Sequence, residues 1–427
     1  MIKGMLNTRS IFQSNAWKRI LVILSVFGPA TITAMADNDA GGVATYSIAG
    51  ATLGYPILFP LLAITILLGV TQEMGMRLTV ITRKGLADLI REKFGVRVSL
   101  VIFSALFIAN MGTLVTELSA IKTTAEMLHI PGIPFMIAIV LASFIFVTRG
   151  NYRLTQNIML VACIFFLTYV VSAIKAKPDW GLALSNLVYP HGVDFTPAYL
   201  RSYLLIGMGV LGTTITPWGQ FFISSFSFDK KIEKKKVNFS QLETYWGAFL
   251  TDFFSFFMIV ATAATLFIHH IPLESGEQAA MAIKPFAGEL AGTLFAVGIL
   301  NAGFMGLVIV SLSTAYAFSE FFGLSGSLDS SFKESKTFYI LFIGQLTVAT
   351  IVNLFPGINL FSLAVITQTI NAFCLPLVFY YLIRLTSDQK LMGEFANSRF
   401  QNTFAIACTV LILIASFFTV IASFVKI

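Results

Sequence analysis

The chain has 427 residues, of which 56% are hydrophobic and only 11% are charged. Soluble proteins carry about 25% charged residues, so the composition excludes an ordinary soluble domain and indicates a polytopic protein whose surroundings are the lipid bilayer. The net charge of +7 does not indicate a nucleic-acid partner. Its basic residues concentrate in short polar segments between apolar runs, where such residues orient membrane helices.

Apolar stretches of about 20 residues, enough to cross a bilayer, recur along the chain. The first follows the basic segment 1–18, is too long for a signal peptide and lacks the usual cleavage site, so we expect it to be retained. We predict about eleven spans, the first and sixth interrupted, near residues 19–52, 55–78, 98–120, 132–148, 155–174, 199–227, 242–268, 290–320, 336–354, 358–383 and 402–425.

Lysine and arginine residues are distributed unevenly between the two sides of these spans. With the N-terminus in the cytoplasm, 21 of the 28 basic residues lie on the cytoplasmic side and 6 lie outside. This bias predicts a cytoplasmic-membrane protein with its C-terminus outside. The expected organisation is a cytoplasmic segment 1–18, a first repeat of five spans at 19–174, an extracellular loop at 175–198, a second repeat of five spans at 199–383, and a cytoplasmic loop with the last span at 384–427.

Two predicted spans contain helix-breaking residues at mid-membrane. The first reads MADNDAGG at 35–42, and the sixth reads LGTTITPWGQFF at 211–222. Carboxylates and free backbone groups at this depth are tolerated only beside a protein-lined or wet cavity. A plain kink is the alternative for Pro217 alone. Two breaks at matching positions of two five-span sets are typical of inverted-repeat transporters, whose substrate site lies between the broken helices.

The acidic residues at membrane depth are the first candidates for ion binding or proton transfer, and none has an obvious basic partner in the sequence. Asp39 is the strongest, because the broken helix frees carbonyl oxygens beside it and a set of oxygen ligands suits a hard cation. Asp37 either faces the same cavity or is a structural hydrogen-bonding group. Gln368 and Asn371 share a helix face and either complete a cation site or join helices.

The sequence contains no signature of a nucleotide-binding domain, of a metalloprotease or of a nucleophilic hydrolase. We therefore predict that the protein is not an enzyme and needs no cofactor. All four histidines fall in predicted external loops. Transport would draw on an ion gradient or on the membrane potential.

Three stretches resemble the Nramp divalent-metal transporters, and more closely their magnesium-transporting branch. The DAGGVAT stretch at 39–45 resembles the DPGN and FAT signature of the first Nramp helix. Arg77, Leu78 and Thr79, with Thr82 and the LAD stretch at 86–88, resemble the stretch after the second helix. GTTITPW at 212–218 resembles the GATVMPH pattern of the sixth helix. The resemblance implies an all-α, LeuT-like fold of two inverted five-helix repeats plus one helix, with helices 1 and 6 unwound at mid-membrane.

The departures from the family pattern concern the metal ligands. The metal-binding aspartate is kept as Asp39, whereas the family's asparagine falls on Gly42, its methionine on Thr216 and its histidine on Trp218. In the third helix, the TDLAE stretch linked to proton movement falls on 116–120 and keeps one acid, Glu117.

Loss of the thioether favours a hard ion, and more room suits a partly hydrated Mg²⁺. We therefore expect import of Mg²⁺, with Mn²⁺ also carried, without proton coupling. The metal would be bound by Asp39, Thr213, Thr216 and Gln368, in a cavity lined by Asp37, Gly42, Pro217, Trp218 and Asn371.

Two other transporter classes remain as alternatives. A proton-coupled Mn²⁺/Fe²⁺ symporter of the main Nramp type could pass protons through Glu117, Asp252 or Asp37. An amino-acid/cation symporter is more distant, because a substrate carboxylate needs a helix N-terminus free of fixed anions.

Overall fold

The computed structural model describes residues 28–274, 290–358 and 360–424. Within these ranges the chain is built from α-helices joined by short loops. The first nine helices are α1 (Pro29–Ala36), α2 (Ala40–Leu53), α3 (Leu61–Thr82), α4 (Leu86–Phe94), α5 (Val96–Met127), α6 (Gly132–Arg149), α7 (Tyr152–Cys163), α8 (Leu167–Lys175) and α9 (Trp180–Asn186).

The second half of the chain contributes eight further helices to the described structure. They are α10 (Pro197–Thr214), α11 (Pro217–Asp229), α12 (Val237–Thr262), α13 (Leu290–Phe322), α14 (Lys336–Asn353), α15 (Leu360–Thr386), α16 (Gln389–Met392) and α17 (Arg399–Phe424). Short 3₁₀ segments precede or extend several of them, and a π-helical turn at Ala263–Phe267 extends α12.

Ten helical segments of the described chain are long and apolar enough to cross a membrane. They correspond to the second to eleventh predicted spans. The first predicted span, 19–52, is described only from residue 28, as the two short helices α1 and α2. Residues 19–27 lie outside the described residues. The prediction of an all-helical, multi-span membrane protein is thereby confirmed.

Both predicted interruptions appear as breaks between two helices. The first lies at residues 37–39, between α1 and α2, and the second at residues 215–216, between α10 and α11. Proline at the first position of a helix has no amide proton to leave unpaired and already has a helical φ, and Pro217 begins α11 in this way. The two breaks therefore end one helix and begin another, rather than kink a continuous one.

The half-helix α2 lies at the centre of the molecule. It contacts α5, α10, α12, α13 and α15, and nearly all of its residues are buried. The carboxyl end of α10 packs between α2 and α15, so the second break is brought beside the first.

One end of α3 is fixed by a buried ion pair. Arg77 Nε lies 2.6 Å from Glu73 Oε1, with both side chains almost fully buried. The Glu73 carboxylate also accepts hydrogen bonds from Gln241 at 2.8 Å and Gln401 at 3.1 Å, and Arg77 donates to Asn397 at 2.8 Å. The expectation that the acids lack basic partners is therefore wrong for Glu73, whose partner lies one helical turn further along α3.

Candidate metal site

The first break is organised by two carboxylates at the N-terminus of α2. Asp39 is the N-cap: its backbone is extended and its Oδ1 accepts the amide of Gly42 at 2.6 Å. Glu117, on α5, accepts the amides of Ala40 at 3.0 Å and Gly41 at 3.1 Å. The free amides of the first turn are thus satisfied by acidic groups, which the helix dipole favours at this end.

The second break is organised in the same way by a hydroxyl group. Thr216 is the N-cap of α11, with an extended backbone, and its Oγ1 accepts the amide of Gly219 at 3.0 Å. The same hydroxyl donates to Oδ1 of Asp37 at 2.9 Å. Asp37 therefore links the two breaks, and its Oδ2 accepts a hydrogen bond from Gln72 on α3 at 3.2 Å.

Asn38, between the two aspartates, anchors the first break to α12. Its amide donates to the carbonyl of Thr251 at 2.9 Å and to the Thr251 hydroxyl at 2.8 Å. The Ser255 hydroxyl donates to Asn38 Oδ1 at 2.9 Å. Because Asn38 points toward α12, the flanking Asp37 and Asp39 are free to face the α10–α11 break and α15.

Three oxygens from the two breaks converge where Gly42 lacks a side chain. A Cβ placed on Gly42 would lie 2.7 Å from the Asp37 carbonyl oxygen, 2.7 Å from Thr213 Oγ1 and 3.3 Å from Asp39 Oδ1. The Thr213 hydroxyl is 3.4 Å from the same carbonyl. A side chain at residue 42 would collide with these oxygens, so glycine is needed for the three to converge.

The second carboxylate oxygen of Asp39, Oδ2, is buried and has no hydrogen-bond partner among the described residues. An unpaired carboxylate oxygen away from water is costly unless a charge or donor meets it. Asp37 differs, because both of its carboxylate oxygens accept hydrogen bonds. Of the two aspartates at the first break, Asp39 is thus the one with spare capacity for a cation.

Gln368 and Asn371 form a hydrogen-bonded pair next to Asp39. Gln368 presents its Nε2 to Asp39 Oδ1 at 3.4 Å, and its Oε1 accepts from Asn371 at 2.7 Å. The amide nitrogen therefore faces the carboxylate. For Gln368 to act as the expected oxygen ligand, its amide would have to turn over and exchange its bond to Asn371.

Some of the remaining predicted site residues lie at the two breaks, and others do not contact Asp39. Glu117 and Pro217 stand at the ends of the broken helices, and Trp218 is fully buried, with its carbonyl accepting the Ser313 hydroxyl at 2.9 Å. Thr216 lies at Asp37 rather than at Asp39. Asp252, on α12, follows Thr251, which bonds to Asn38, and its carboxylate lines a separate groove.

The site is closed to both sides in this structure. Asp37, Asp39, Thr213, Thr216 and Gln368 are all 0% exposed. Within the described ranges, no three acidic, histidine or cysteine side chains come together as a metal-binding group. A cation held here would therefore depend on hydroxyl, carbonyl and amide oxygens in addition to carboxylate.

Several polar residues that organise the breaks were not identified from the sequence. Gln72 reaches Asp37, and Glu243 on α12 accepts the amides of Gly28 at 2.7 Å and Thr31 at 3.2 Å at the start of α1. Tyr46 and Thr214 join α2 to α10 at 2.7 Å. The available signal was a polar side chain inside an apolar span, which marks a buried contact without naming its partner.

Comparison with known proteins places this architecture in one family. The family model described as natural resistance-associated macrophage protein-like, or Nramp, matches residues 30–422. The divalent metal cation transporter MntH of Granulibacter bethesdensis is 25% identical over 414 residues, covering 94% of this chain and 88% of that protein. MntH of Bacillus subtilis is 24% identical over 417 residues, covering 94% and 93%.

Solved structures show the same fold. The Eremococcus coleocola manganese transporter, in complex with an aromatic bis-isothiourea substituted compound, matches with a TM-score of 0.75 and 19% identity, covering 100% of this chain and 90% of that one. A Na⁺-coupled sialic acid symporter matches with a TM-score of 0.57 and 13% identity, covering 93% and 89%. With two broken helices meeting at an acidic centre and a family match over nearly its whole length, this multi-pass membrane chain belongs to the Nramp family.

Proposed function

We propose that this protein imports divalent metal cations, bound between the α1–α2 and α10–α11 breaks. The observation that carries the proposal is the buried, unpaired Oδ2 of Asp39, beside the oxygens that converge at Gly42. Asp39 would be the main ligand. Thr213 and the carbonyl of Asp37 would add oxygens, and Thr216 and Gln368 would join after exchanging their present hydrogen bonds.

The proposed mechanism is alternating access around this site in the cytoplasmic membrane. The repeats at 19–174 and 199–383 would rock against each other, with the N-terminus in the cytoplasm and the C-terminus outside. An inside-negative potential of 100 mV favours inward movement of two charges by about 4.6 kcal/mol, from about 2.3 kcal/mol per charge. This driving force acts without any coupled ion.

Mn²⁺ is the ion that the comparisons support. The relatives are named divalent metal cation transporters, and the solved neighbours include a manganese transporter. Mn²⁺ accepts carboxylate, carbonyl and water ligands, all of which this site can offer. Proton coupling of the main Nramp type would use the acids nearest the breaks, Glu117 and Asp37.

Mg²⁺ without proton coupling is the second candidate, and the hydrogen-bonding groups of the site favour it. The side chains that meet Asp37 and Asp39 are threonines and glutamines, and Thr216 occupies the position of the family's methionine. Mg²⁺ prefers oxygen ligands and keeps several waters. Because the methionine is replaced by Thr216, we expect this protein to prefer Mn²⁺ over Mg²⁺ by a smaller factor than a transporter that has the methionine.

The test is uptake into proteoliposomes at a fixed inside-negative potential, with Mg²⁺ and Mn²⁺ supplied separately and internal pH recorded. We expect at least one of the two ions to enter, and Asp39→Asn to abolish entry because it removes the charge and keeps the shape. Asp179→Asn is the matched control, since Asp179 caps α9 through Leu182 at 2.9 Å on an exposed surface.

The outcomes separate the candidates. Mn²⁺ entry with internal acidification, and no Mg²⁺ entry, would identify a proton-coupled symporter of the main type. Mg²⁺ entry at constant internal pH would identify the hard-ion importer. If neither ion enters, or if Asp39→Asn transports like Asp179→Asn, the proposed site is wrong.

A further inference from the structure

A groove with an aromatic wall lies between α3, α9 and α12. It has a volume of about 390 Å³, within the size range of pockets that hold small organic molecules. We call it the α3–α12 groove. Its wall is a series of contacting rings: Trp180 and Phe257 are 6.0 Å apart, Phe257 and Phe253 4.8 Å, and Phe253 and Phe249 6.1 Å.

A single carboxylate faces this apolar space. Asp252 lines the groove although it is only 4% exposed. Neither of its carboxylate oxygens has a hydrogen-bond partner in the described part of the chain. Thr65, which also lines the groove, donates its hydroxyl proton to the carbonyl of Leu61 at 2.8 Å. An acid at membrane depth is expected to have a charged partner, and a cation in the groove would supply one for Asp252.

The surroundings of Asp252 determine which cation fits. A metal ion needs several oxygen ligands, whereas the groove offers the Asp252 carboxylate and the Thr65 hydroxyl among apolar side chains. An organic ammonium needs one anion for its charge and apolar surface for its body. Aromatic faces add cation–π attraction. No lysine or arginine is among the residues that line the groove, so nothing on its wall competes for the carboxylate.

The depth of Asp252 along α12 favours a free molecule over a lipid headgroup as the occupant of the groove. Asp252 lies ten residues before the end of α12 at Thr262 and fifteen after its start at Val237. At 1.5 Å per residue these distances are about 15 Å and about 22 Å. A phospholipid amine would have to leave the interface by a comparable distance. A small amphiphile can carry its ammonium to this depth while its body remains against the rings.

We propose that the α3–α12 groove binds a free amphiphilic organic ammonium. Its charged head pairs with Asp252, and its apolar body lies against the aromatic wall of Trp180, Phe257, Phe253 and Phe249. The proposal does not rest on the transport of any metal. It concerns equilibrium binding to the full-length chain, which can be measured without transport.

The probe is N-(2-aminoethyl)dansylamide, which carries a primary ammonium, and its control is the neutral N-(2-hydroxyethyl)dansylamide. Each is titrated into the full-length protein in nanodiscs of phosphatidylcholine and phosphatidylglycerol, and energy transfer from tryptophan to dansyl is recorded. We expect saturable transfer with the ammonium and at least about tenfold weaker binding of the alcohol, because a charge-assisted contact is lost.

Three variants locate the site. Asp252→Asn should weaken ammonium binding at least about tenfold, whereas Glu320→Gln, at a half-buried acid on α13, should not. Trp180→Phe should lower the energy transfer while leaving the midpoint of the dansyl emission titration unchanged, because one donor is lost and the ring is retained; Trp246, which stacks on Phe249 at 5.3 Å, remains as a donor.

Equal binding of the ammonium and the alcohol to the unmodified protein would overturn the proposal and leave an apolar cleft for lipid tails. This comparison needs no variant to fold. Undiminished binding to Asp252→Asn would also overturn it. If phosphatidylethanolamine in the nanodisc displaces the probe in a saturable manner, the occupant is a lipid headgroup, and the free-molecule assignment is wrong.

Discussion

The two helix breaks share a backbone design and differ in chemistry. In each, an extended residue caps the following half-helix through the amide three positions later: Asp39 caps through Gly42 and Thr216 through Gly219. The first cap is a carboxylate with one oxygen to spare. The second is a hydroxyl that also donates to Asp37.

The difference shows that the likeness of the two breaks stops at the backbone. Either group satisfies the free amides of a helix N-terminus, so capping alone does not require an acid at residue 39. The negative charge is concentrated at one break, and the other contributes a neutral, donating group. The asymmetry is consistent with a site built for a cation rather than with two equivalent structural caps.

The largest effect is expected when the first break is given the chemistry of the second. Asp39→Thr keeps a capping oxygen and removes the carboxylate, so the melting temperature should change little while metal uptake falls about 100-fold or more, because ligand charge sets divalent affinity. Uptake and thermal unfolding of the same preparation test this. Retained uptake would mean that Asp39 is only a cap.

A smaller, unequal effect is expected from alanine at the two matched glycines. The Cβ of Gly42→Ala would meet a backbone carbonyl at 2.7 Å, whereas that of Gly219→Ala would meet the Thr216 hydroxyl at 2.7 Å. A side-chain hydroxyl can shift more easily than a carbonyl. Metal affinity, measured by Mn²⁺ titration, should fall about tenfold for Gly42→Ala and less for Gly219→Ala. Equal losses would argue against a role in metal binding for the oxygens that converge at Gly42.

The third prediction restores a soft ligand at the second break. Thr216→Met removes the cap of α11, at a cost of about 1 kcal/mol in the free energy of unfolding, and places a thioether beside the first break. The ratio of Cd²⁺ to Mg²⁺ uptake should rise several-fold, because thioether sulfur favours soft ions. Thr216→Leu has similar bulk without sulfur and should not change this ratio.

The smallest effect is expected far from both breaks. Lys93 and Asp388 form an exposed ion pair at 3.0 Å, and this pairing lowers the pKa of the Asp388 carboxyl below its usual value. Exposed pairs contribute little to stability. Lys93→Gln should leave uptake unchanged and lower the melting temperature by less than about 2 °C at pH 7.

The position of the breaks could be predicted from the sequence, because proline, glycine and acids are rare together in an apolar span. Their partners could not be predicted. Thr216 was expected near the metal and is bonded to Asp37, and Gln368 turns its nitrogen toward Asp39. Such contacts depend on the rotation and depth of helices that are hundreds of residues apart in sequence, which hydropathy does not determine.

The buried ion pair of α3 illustrates the same limit. Glu73 and Arg77 are spaced for contact on one helix face, although no basic partner was expected for this acid from the sequence. The groups that surround it, Gln241, Asn397 and Gln401, come from α12, the loop after α16 and the start of α17. Only the packed structure brings them to one place.

The unpaired oxygen of Asp39 affects how readily the empty transporter changes conformation. In the closed arrangement this oxygen is buried and has no hydrogen-bond donor among the described residues, and an uncompensated buried charge is unfavourable by several kcal/mol. A bound cation removes that penalty. The unloaded carrier is therefore expected to spend little time closed with this carboxylate ionised. Passage through the closed state would then be largely restricted to the loaded form, which would suppress futile cycling of the empty transporter.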